Sequence, residues 1–206
     1  MPLEVVFYRT ESGNEPVRAW LQGLSKQDKR IIGGDIKTVQ YGWPIGMPVV
    51  RKMEPGLWEV RCRLDQRIAR ILFTVKGEKM ILLHGFIKKS QKTPQADLRF
   101  DWLKIAQPTW RSDMSKHIGS NFDDFLEEEG VLAEAEAIAV KRVLAFQLKE
   151  LMKAQKLNKT QLARRMNTSR SALERLLDPD NPSVTLLTLE RAARALGKNI
   201  KIEIAA

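Results

Sequence analysis

Three arginines in two successive apolar runs could bind a phosphate on one face of a β-sheet. In LWEVRCRL (57–64), Arg61 and Arg63 alternate with apolar side chains, so a strand would place both arginines on one face. Arg70, in the following run IARILFTV (68–75), is out of phase with its apolar neighbours and can join them. Guanidinium groups bind phosphate oxygens through paired hydrogen bonds. The pattern therefore predicts a site for a phosphate backbone.

A lysine cluster follows the arginines and could supply acid–base chemistry. HGFIKKSQKTP (84–94) contains Lys88, Lys89 and Lys92. Cleavage of RNA without a metal requires three things: the ribose 2′-hydroxyl is deprotonated, the additional phosphate charge is stabilised, and the leaving oxygen is protonated. Cations can serve each need. Because neighbouring cations lower the pKa of a lysine towards neutrality, Lys88 or Lys92 could act as base or acid while the arginines hold the phosphate.

Further basic residues extend this predicted surface. Arg51 and Lys52 lie on an adjoining segment, and we predict that they bind the RNA backbone together with Arg63. The alternative interpretation is that the lysines only keep a sheet edge soluble and unpaired, which is a common use of charge at exposed strands.

One histidine and two aromatic residues are weaker candidates for this site. His84 titrates in a suitable range, but its position between Leu82 and Phe86 favours a packing role. Trp58 and Tyr41 are candidates for stacking on an RNA base, because single-stranded RNA is commonly bound through aromatic rings.

The elements that must position these side chains predict an α+β domain over residues 1–107. Four β-rich runs separated by short turns predict an antiparallel sheet; they are LEVVFY (3–8), LWEVRCRL (57–64), IARILFTV (68–75) and KMILLHGFI (79–87). Apolar residues at helical spacing after the first run predict two helices that cover one sheet face. A further helix is predicted over residues 97–106, with Thr93 as its N-cap and Pro94 in its first turn.

The segment LNKTQLARRMNTSRSALERLLDP (157–179) has the spacing of a helix-turn-helix motif. Asn158 and Gln161 predict a reciprocal cap at the start of one helix, and Ser169 predicts the cap of a second. Amphipathic helices before and after this segment complete a mostly α-helical domain over residues 138–206. Its final residues, KNIKIEI, alternate as a strand that could pair across a dimer.

Exposed positions of this motif predict contacts with DNA. The second helix could enter a major groove, where base edges would be read by Arg170, Ser171, Glu174 and Arg175. Phosphate contacts are expected from Thr160, Gln161 and Ser169. Because one small module makes few phosphate contacts, we expect a homodimer, formed through this domain, on a palindromic operator. A helical bundle with a solvated arginine face is the alternative.

An acidic segment separates two basic blocks. Residues 1–113 carry 20 Lys and Arg against 12 Asp and Glu, residues 114–137 carry 1 against 7, and residues 138–206 carry 14 against 6. Within the acidic block, the apolar side chains fit an amphipathic helix that binds the basic domain through Phe122, Phe125 and Leu126, with its carboxylates against the arginines. We therefore predict a linker over residues 108–120 and a neutralising segment over residues 121–137. An ordinary helix with an acidic first turn is the alternative.

Composition excludes several other classes of site. Cys62 is the only cysteine and the chain has two histidines, so we expect no internal disulfide, no metal site and no cofactor. No run approaches the roughly 18 apolar residues of a membrane span, and the N-terminus lacks the features of a secretory signal. These features predict a cytoplasmic protein without a membrane partner. The formal charge of +10 favours a polyanionic partner.

Both halves resemble known families. The motif at 157–179 resembles Cro/repressor-type antitoxins of the HigA-like group, and residues 57–94 resemble the core of RelE/HigB-like toxins of the phage Gp49-like branch. Members of that toxin family are small ribonucleases that cut mRNA, typically on the ribosome, and an adjacent antitoxin silences them and represses their operon. The resemblance implies catalytic roles for the family's basic motif positions, here Arg61, Arg70, Lys88, Lys89 and Lys92.

The function implied by this resemblance is a type II toxin–antitoxin pair in one chain. The N-terminal half would be a metal-independent endoribonuclease that acts on mRNA and the ribosome and is inhibited in the fused state. The C-terminal half would bind operator DNA, and the two halves would make a toxin–antitoxin contact within or between chains. The alternatives are a transcriptional regulator whose first domain only senses a ligand or dimerises, and a ParE-like toxin that inhibits gyrase.

Overall fold

The computed structural model describes residues 2–46, 49–88, 114–179, 181 and 184–201. Five predictions fall wholly or partly outside these ranges: Lys89, Lys92, the helix over residues 97–106, residues 108–113 of the linker, and the last three residues of the tail strand, 202–204. The chain divides into two compact units, residues 1–139 and residues 140–206. Within the described ranges, none of the helices has both the length and the apolar character needed to cross a membrane.

The first unit is built on a six-stranded sheet with the strand order β2-β3-β4-β5-β1-β6. Its strands are β1 (Glu4–Tyr8), β2 (Val50–Glu54), β3 (Leu57–Arg63), β4 (Ile68–Lys76), β5 (Lys79–Lys88) and β6 (Ile118–Asn121). Strands β3 to β5 form the antiparallel hairpins that were predicted, and β2, which was not predicted as a strand, pairs antiparallel with β3. Two of its tight turns contain Gly56 and Gly77 at positive φ values of 84° and 57°, a conformation that favours glycine.

The sheet is mixed and not wholly antiparallel as predicted, because β1 runs parallel to β5. Val5 lies opposite Met80 and Phe7 opposite Leu82 in that pairing. Hairpin turns determine the directions of β2 to β5. After β1, however, the chain forms two helices before it returns to the sheet, and β1 pairs with a strand that is distant in the sequence. No local turn signal specifies the direction of such a strand.

Two helices cover one face of the sheet, as predicted. They are α1 (Pro16–Gln22) and α2 (Lys26–Gly42), and they pack mainly against β5 and β3. Ser25 caps α2 by accepting a hydrogen bond from the Asp28 amide at 3.1 Å. The α1 side chain Trp20 lies so close to β5 that a Cβ on Gly85 would be 2.3 Å from its ring. The glycine therefore permits this close packing.

Residues 114–139 are the last part of the first unit that the structure describes, and we call them the strap. It contains a 3₁₀ helix (Met114–His117), strand β6, helix α3 (Phe122–Glu128) and the beginning of α4 (Leu132–Ala154). Strand β6 pairs antiparallel with β1, with Tyr8 opposite Ile118. Residues 114–120, predicted to be linker, instead form regular structure. Their Ser- and Gly-containing composition suggested a linker, but the edge of β1 provides backbone partners that composition cannot reveal.

The second unit is mostly α-helical, as predicted. After α4 come α5 (Lys159–Arg165), α6 (Arg170–Leu177) and α7 (Leu186–Ala195). Their apolar faces enclose one core, which includes Leu148, Met152, Leu162, Leu173, Leu176, Leu177, Leu189 and Leu196. The short α5 and α6 are thus held by packing, because helices of 7 and 8 residues are too short to be stable alone.

Candidate nucleic-acid interfaces

The strand register brings predicted RNA-binding cations to one face of the sheet. Residues directly opposite each other in neighbouring strands share a face. Arg61 lies opposite Arg70, while Ile68 lies opposite both Arg63 and Lys88. We call this surface the cationic face; its described basic members are Arg51, Arg61, Arg63, Arg70 and Lys88. It is the face opposite α1 and α2, because Gly85 and Trp20 lie on the other side.

Three residues that were predicted to contact RNA lie elsewhere. Lys52 is exposed but opposite Trp58, on the helix side of the sheet, whereas Arg51 is opposite Glu59 on the cationic face. Trp58 is stacked on a phenylalanine, with ring centroids 5.8 Å apart. The hydroxyl of Tyr41 donates a hydrogen bond to Glu136 at 3.0 Å. The two aromatic rings therefore have structural contacts on the helix side, which does not support the base-stacking prediction.

The centre of the cationic face is a buried carboxylate that the sequence analysis missed. Glu59 is 1% exposed; its Oε2 accepts a hydrogen bond from Arg70 Nη1 at 2.7 Å, and its Oε1 lies 3.3 Å from Arg61 Nε. Glu59 is two residues before Arg61 in β3, so strand alternation already places both on one face. The sequence signal for this ion pair was an acidic residue that shares the strand phase of the arginines.

Burial separates the roles of the two arginines. The Arg70 side chain is 4% exposed and the Arg61 side chain 34% exposed. Arg70 Nε is buried without a hydrogen-bond partner among the described residues, so the guanidinium retains one unused donor. Arg61 is the accessible member. The phosphate contact stays a prediction for both residues: Arg61 is accessible to a ligand, whereas Arg70 is buried and bonded to Glu59.

His84 and Lys88 complete the described part of this site. His84 lies opposite Leu72, two residues from the Arg70 position in β4, and its ring stacks on Phe86 with centroids 5.6 Å apart. This stacking agrees with the packing role inferred from its neighbours. Lys88 is half-buried at the end of β5. The site thus combines an accessible guanidinium, a buried ion pair and an amine on one sheet face.

The strap is anchored by the three apolar residues predicted to neutralise the first domain. Phe122 and Phe125 are fully buried and contact Phe7 of β1 edge-to-face, with centroid distances of 5.6 and 5.5 Å. Leu126 is 1% exposed and lies against Gly33 of α2. Side chains along β1 alternate between the two faces of the sheet, and Phe7 is on the helix face. The contacts of the strap with Phe7 therefore lie on the helix face.

The carboxylates of the strap pair with cations of α1 and α2. Lys29 Nζ lies 2.6 Å from Glu129, Lys37 Nζ lies 2.8 Å from Asp123, and Arg18 pairs with Glu128. The hypothesis that these acids meet the arginines of the cationic face is therefore corrected. Among the described residues, Glu59 from the same sheet pairs with Arg61 and Arg70. The two residues of each pair are far apart in the sequence, so the acidic pattern alone could not identify the partner of each acid.

Glu15 links the start of α1 to β6. It accepts hydrogen bonds from the Ser120 amide at 2.7 Å and the Ser120 hydroxyl at 2.6 Å, and it forms an ion pair with Arg9 at 3.1 Å. Burial alone would raise the pKa of Glu15, but the bonds from Ser120 and Arg9 outweigh it and hold the pKa below its ordinary value of 4.5.

Acidification is expected to weaken this link. Because the pKa of Glu15 is lower in the folded protein, its contribution is complete above pH 4.5 and is lost as the pH falls through the folded pKa. The urea midpoint of the first unit should therefore decrease less between pH 5 and pH 3 in Glu15→Gln than in the wild type. Tryptophan fluorescence can follow it, since all five tryptophans lie in the first 110 residues. An equal decrease in the urea midpoint of the two proteins between pH 5 and pH 3 would contradict the role assigned to Glu15.

The caps predicted for the second unit are present. Asn158 accepts from the Gln161 amide and Gln161 accepts from the Asn158 amide, each at 2.9 Å. Ser169 accepts from the Ala172 amide at 3.1 Å. Asn167 between the two helices has a φ of 51°, a left-handed conformation that asparagine tolerates. This cap–turn–cap arrangement forms the helix-turn-helix.

The predicted DNA-reading residues are accessible on this motif. Exposed side chains are found at Thr160, Gln161, Ser169, Arg170, Ser171 and Arg175, and Glu174 is half-buried. Arg170 Nε donates to Glu174 Oε1 at 3.2 Å, and Lys159 Nζ lies 3.6 Å from the same oxygen. Glu174 therefore orients Arg170 at the beginning of α6. Since the carbonyl oxygen of the Gln161 side chain caps α5, only its NH₂ group is available for a phosphate.

These two units define a protein that joins a sheet domain with a cationic face to a helix-turn-helix domain. Residues 19–100 match the family described as phage derived protein Gp49-like (DUF891), and residues 147–201 match the Cro/C1-type HTH DNA-binding domain. The resemblance to a toxin joined to a helix-turn-helix antitoxin is thereby confirmed. Neither the curated proteins nor the solved structures include a match to the chain.

Proposed function

We propose that this chain is a type II toxin–antitoxin pair in one polypeptide. The observation that carries the proposal is the Arg61–Glu59–Arg70 cluster within the Gp49-like domain, because a buried carboxylate holds one accessible guanidinium on a cationic sheet face. A phosphodiester bound at Arg61 would gain charge as it is attacked, and the guanidinium would stabilise that charge. Lys88, on the same face, would transfer a proton, together with Lys89 and Lys92 of the same motif.

The substrate proposed for this face is mRNA on the ribosome, and the reaction needs no cofactor. Arg51 and Arg63 extend the surface along the backbone of a bound strand. The test is primer extension on ribosome-bound mRNA, comparing the intact chain with a chain whose strap has been released. New cuts should appear only after release. An absence of cuts from a folded, released protein would contradict the ribonuclease proposal.

The strap is proposed to be the neutralising element. It adds a strand to the edge of β1 and covers the helix face, where it buries two phenylalanines and satisfies Arg18, Lys29 and Lys37. It does so on the opposite side of the sheet from Arg61. Inhibition would therefore act by occupying the α1–α2 surface that the ribosome would otherwise approach, without pairing the cleavage residues.

The second unit is proposed to repress transcription of its own operon as a homodimer on a palindromic operator. Leu186 and Leu187, 66% and 59% exposed at the start of α7, provide apolar surface available to such a dimer. The accessible face of α6 would read the bases, and Thr160 and Ser169 would contact phosphates.

Replacing Arg170 by alanine should weaken operator binding by about 5- to 150-fold, the range expected when one bidentate base contact is lost. The base preference at one operator position should relax at the same time, which binding assays with single-base operator variants would show. Lys149→Ala, exposed on α4, is the matched control and should change affinity little. If wild-type protein bound random DNA as tightly as the operator, specific repression would be excluded.

A non-catalytic regulator is the second candidate, favoured by the burial of Arg70. An arginine side chain that is only 4% exposed and paired with Glu59 could serve folding alone. The same primer-extension assay separates the two functions, because a regulator would give no cuts in either state while operator binding persisted.

A further inference from the structure

A stripe of four residues along α2 forms the contact surface for the strap. Lys37 is four residues after Gly33 and three after Gly34, and Tyr41 is four residues after Lys37, so all four lie on one side of the helix. Gly33, Gly34 and Lys37 are buried, and Tyr41 is half-buried. Lys37 and Tyr41 contact the strap through their side chains. At the two glycines, side chains of the strap occupy the space that a Cβ would need.

The two glycines allow the strap to approach the α2 backbone. A Cβ on Gly33 would lie 3.0 Å from Leu126 Cδ2 and 3.2 Å from the Ala135 Cβ, and one on Gly34 would lie 2.8 Å from Ile138 Cγ2. Adjacent glycines in the middle of a helix are unfavourable on backbone grounds. Close packing of the strap provides the compensating reason for their presence.

Lys37 contacts both helices of the strap. Its ammonium, on a side chain 1% exposed, lies 2.8 and 2.9 Å from the two carboxylate oxygens of Asp123 in α3, and 3.2 Å from Glu136 in α4. The Tyr41 ring lies 5.1 Å from the ammonium, and its hydroxyl donates to the same Glu136. Burial would lower the pKa of Lys37, but the bond and charge of Asp123 raise it above its ordinary value.

We infer that this α2 stripe is the recognition surface that selects the partner of the first unit. It accepts an acidic helix pair that presents small or adaptable apolar groups to Gly33 and Gly34 and one carboxylate from each helix to Lys37. The inference rests on the neutralising role proposed for the strap. It adds the residues that determine which segment can bind to the α2 stripe. A segment lacking both carboxylates would bury the lysine without a partner, and such uncompensated burial opposes docking.

The test uses the full chain and measures hydrogen exchange at the β6 amides. Removing both carboxylates in Asp123→Ala/Glu136→Ala should increase that exchange at least about 100-fold, since Lys37 loses both acidic partners. Adding Lys37→Met should restore most of the protection, because an apolar side chain tolerates the same burial. Unchanged exchange in the double variant, or no recovery with methionine, would overturn the inference.

Two matched controls separate recognition from general destabilisation. Glu127→Ala removes an exposed acid of α3 that has no part in the α2 stripe, and should change exchange by less than about threefold. Gly34→Ala should increase exchange through its contact with Ile138, whereas Gly46→Ala, with open space around it, should not. The exchange readout requires no RNA. Released variants that fail to cut mRNA would refute the ribonuclease proposal and leave the recognition surface standing.

Discussion

Replacing Phe125 by alanine is expected to release the strap and switch on mRNA cleavage. The Phe125 ring is fully buried, lies 5.5 Å from the Phe7 ring and is covered by the Arg18 guanidinium at 5.6 Å. Truncation of a buried phenylalanine costs about 3–5 kcal/mol, which corresponds to roughly a 150- to 5000-fold change in the docking equilibrium. Hydrogen exchange at β6 measures release, and primer extension on ribosome-bound mRNA measures the resulting activity.

The controls for this prediction distinguish docking from chemistry. Phe125→Ala/Arg61→Ala should show the same increase in exchange but lose the cuts, because Arg61 lies on the other face of the sheet. Leu187→Ala removes an apolar side chain that is 59% exposed in the second unit and should leave both readouts unchanged. Exchange that stays at the wild-type level in Phe125→Ala would mean that the aromatic contacts do not hold the strap.

Local sequence signals predicted the second unit well. The reciprocal cap at Asn158 and Gln161, the cap at Ser169 and the buried stripe of α6 each depend on residues within a few positions of one another. Side-chain capping and helical periodicity are short-range effects, so a single sequence contains the information that specifies them.

The first unit was predicted less completely because its decisive contacts are long-range. Strand alternation correctly placed Arg61 and Arg70 on one face, but alternation does not reveal burial or the ion pair with Glu59. Likewise the pattern of Phe122 and Phe125 indicated an apolar face. The residue on which they pack, Phe7 of β1, lies more than 100 residues away in the sequence. The partner of a charge is determined by tertiary packing, which composition and periodicity do not encode.

The two faces of the sheet therefore carry different kinds of charge interaction. On the helix face, Lys37 is satisfied by acids that belong to the strap and that leave if the strap leaves. On the cationic face, Arg70 is paired with Glu59 from the neighbouring strand. Release of the strap should thus change the helix face strongly and leave the arrangement of the proposed cleavage residues intact, as a reversible inhibitor requires.

Glu59→Leu should destabilise the first unit by about 3–5 kcal/mol, the range seen when one partner of a buried ion pair is removed. Glu59 and Arg70 have side chains only 1% and 4% exposed, so the remaining guanidinium cannot recover hydration. Adding Arg70→Leu should restore most of the stability, because a buried ion pair replaced by apolar side chains is often neutral or stabilising. Urea midpoints followed by tryptophan fluorescence report this unit alone, since all five tryptophans lie in the first 110 residues.

The double variant then separates folding from chemistry. Combined with Phe125→Ala, a stable Glu59→Leu/Arg70→Leu protein should release its strap but cut mRNA far more slowly, since Arg61 has lost the carboxylate that positions it. Glu54→Ala, which removes an exposed acid at the end of β2, is the control and should leave stability and cutting unchanged. Full cutting by the double variant would show that the buried pair has no part in the reaction. It would also move the search for the catalytic groups to the lysines that follow β5.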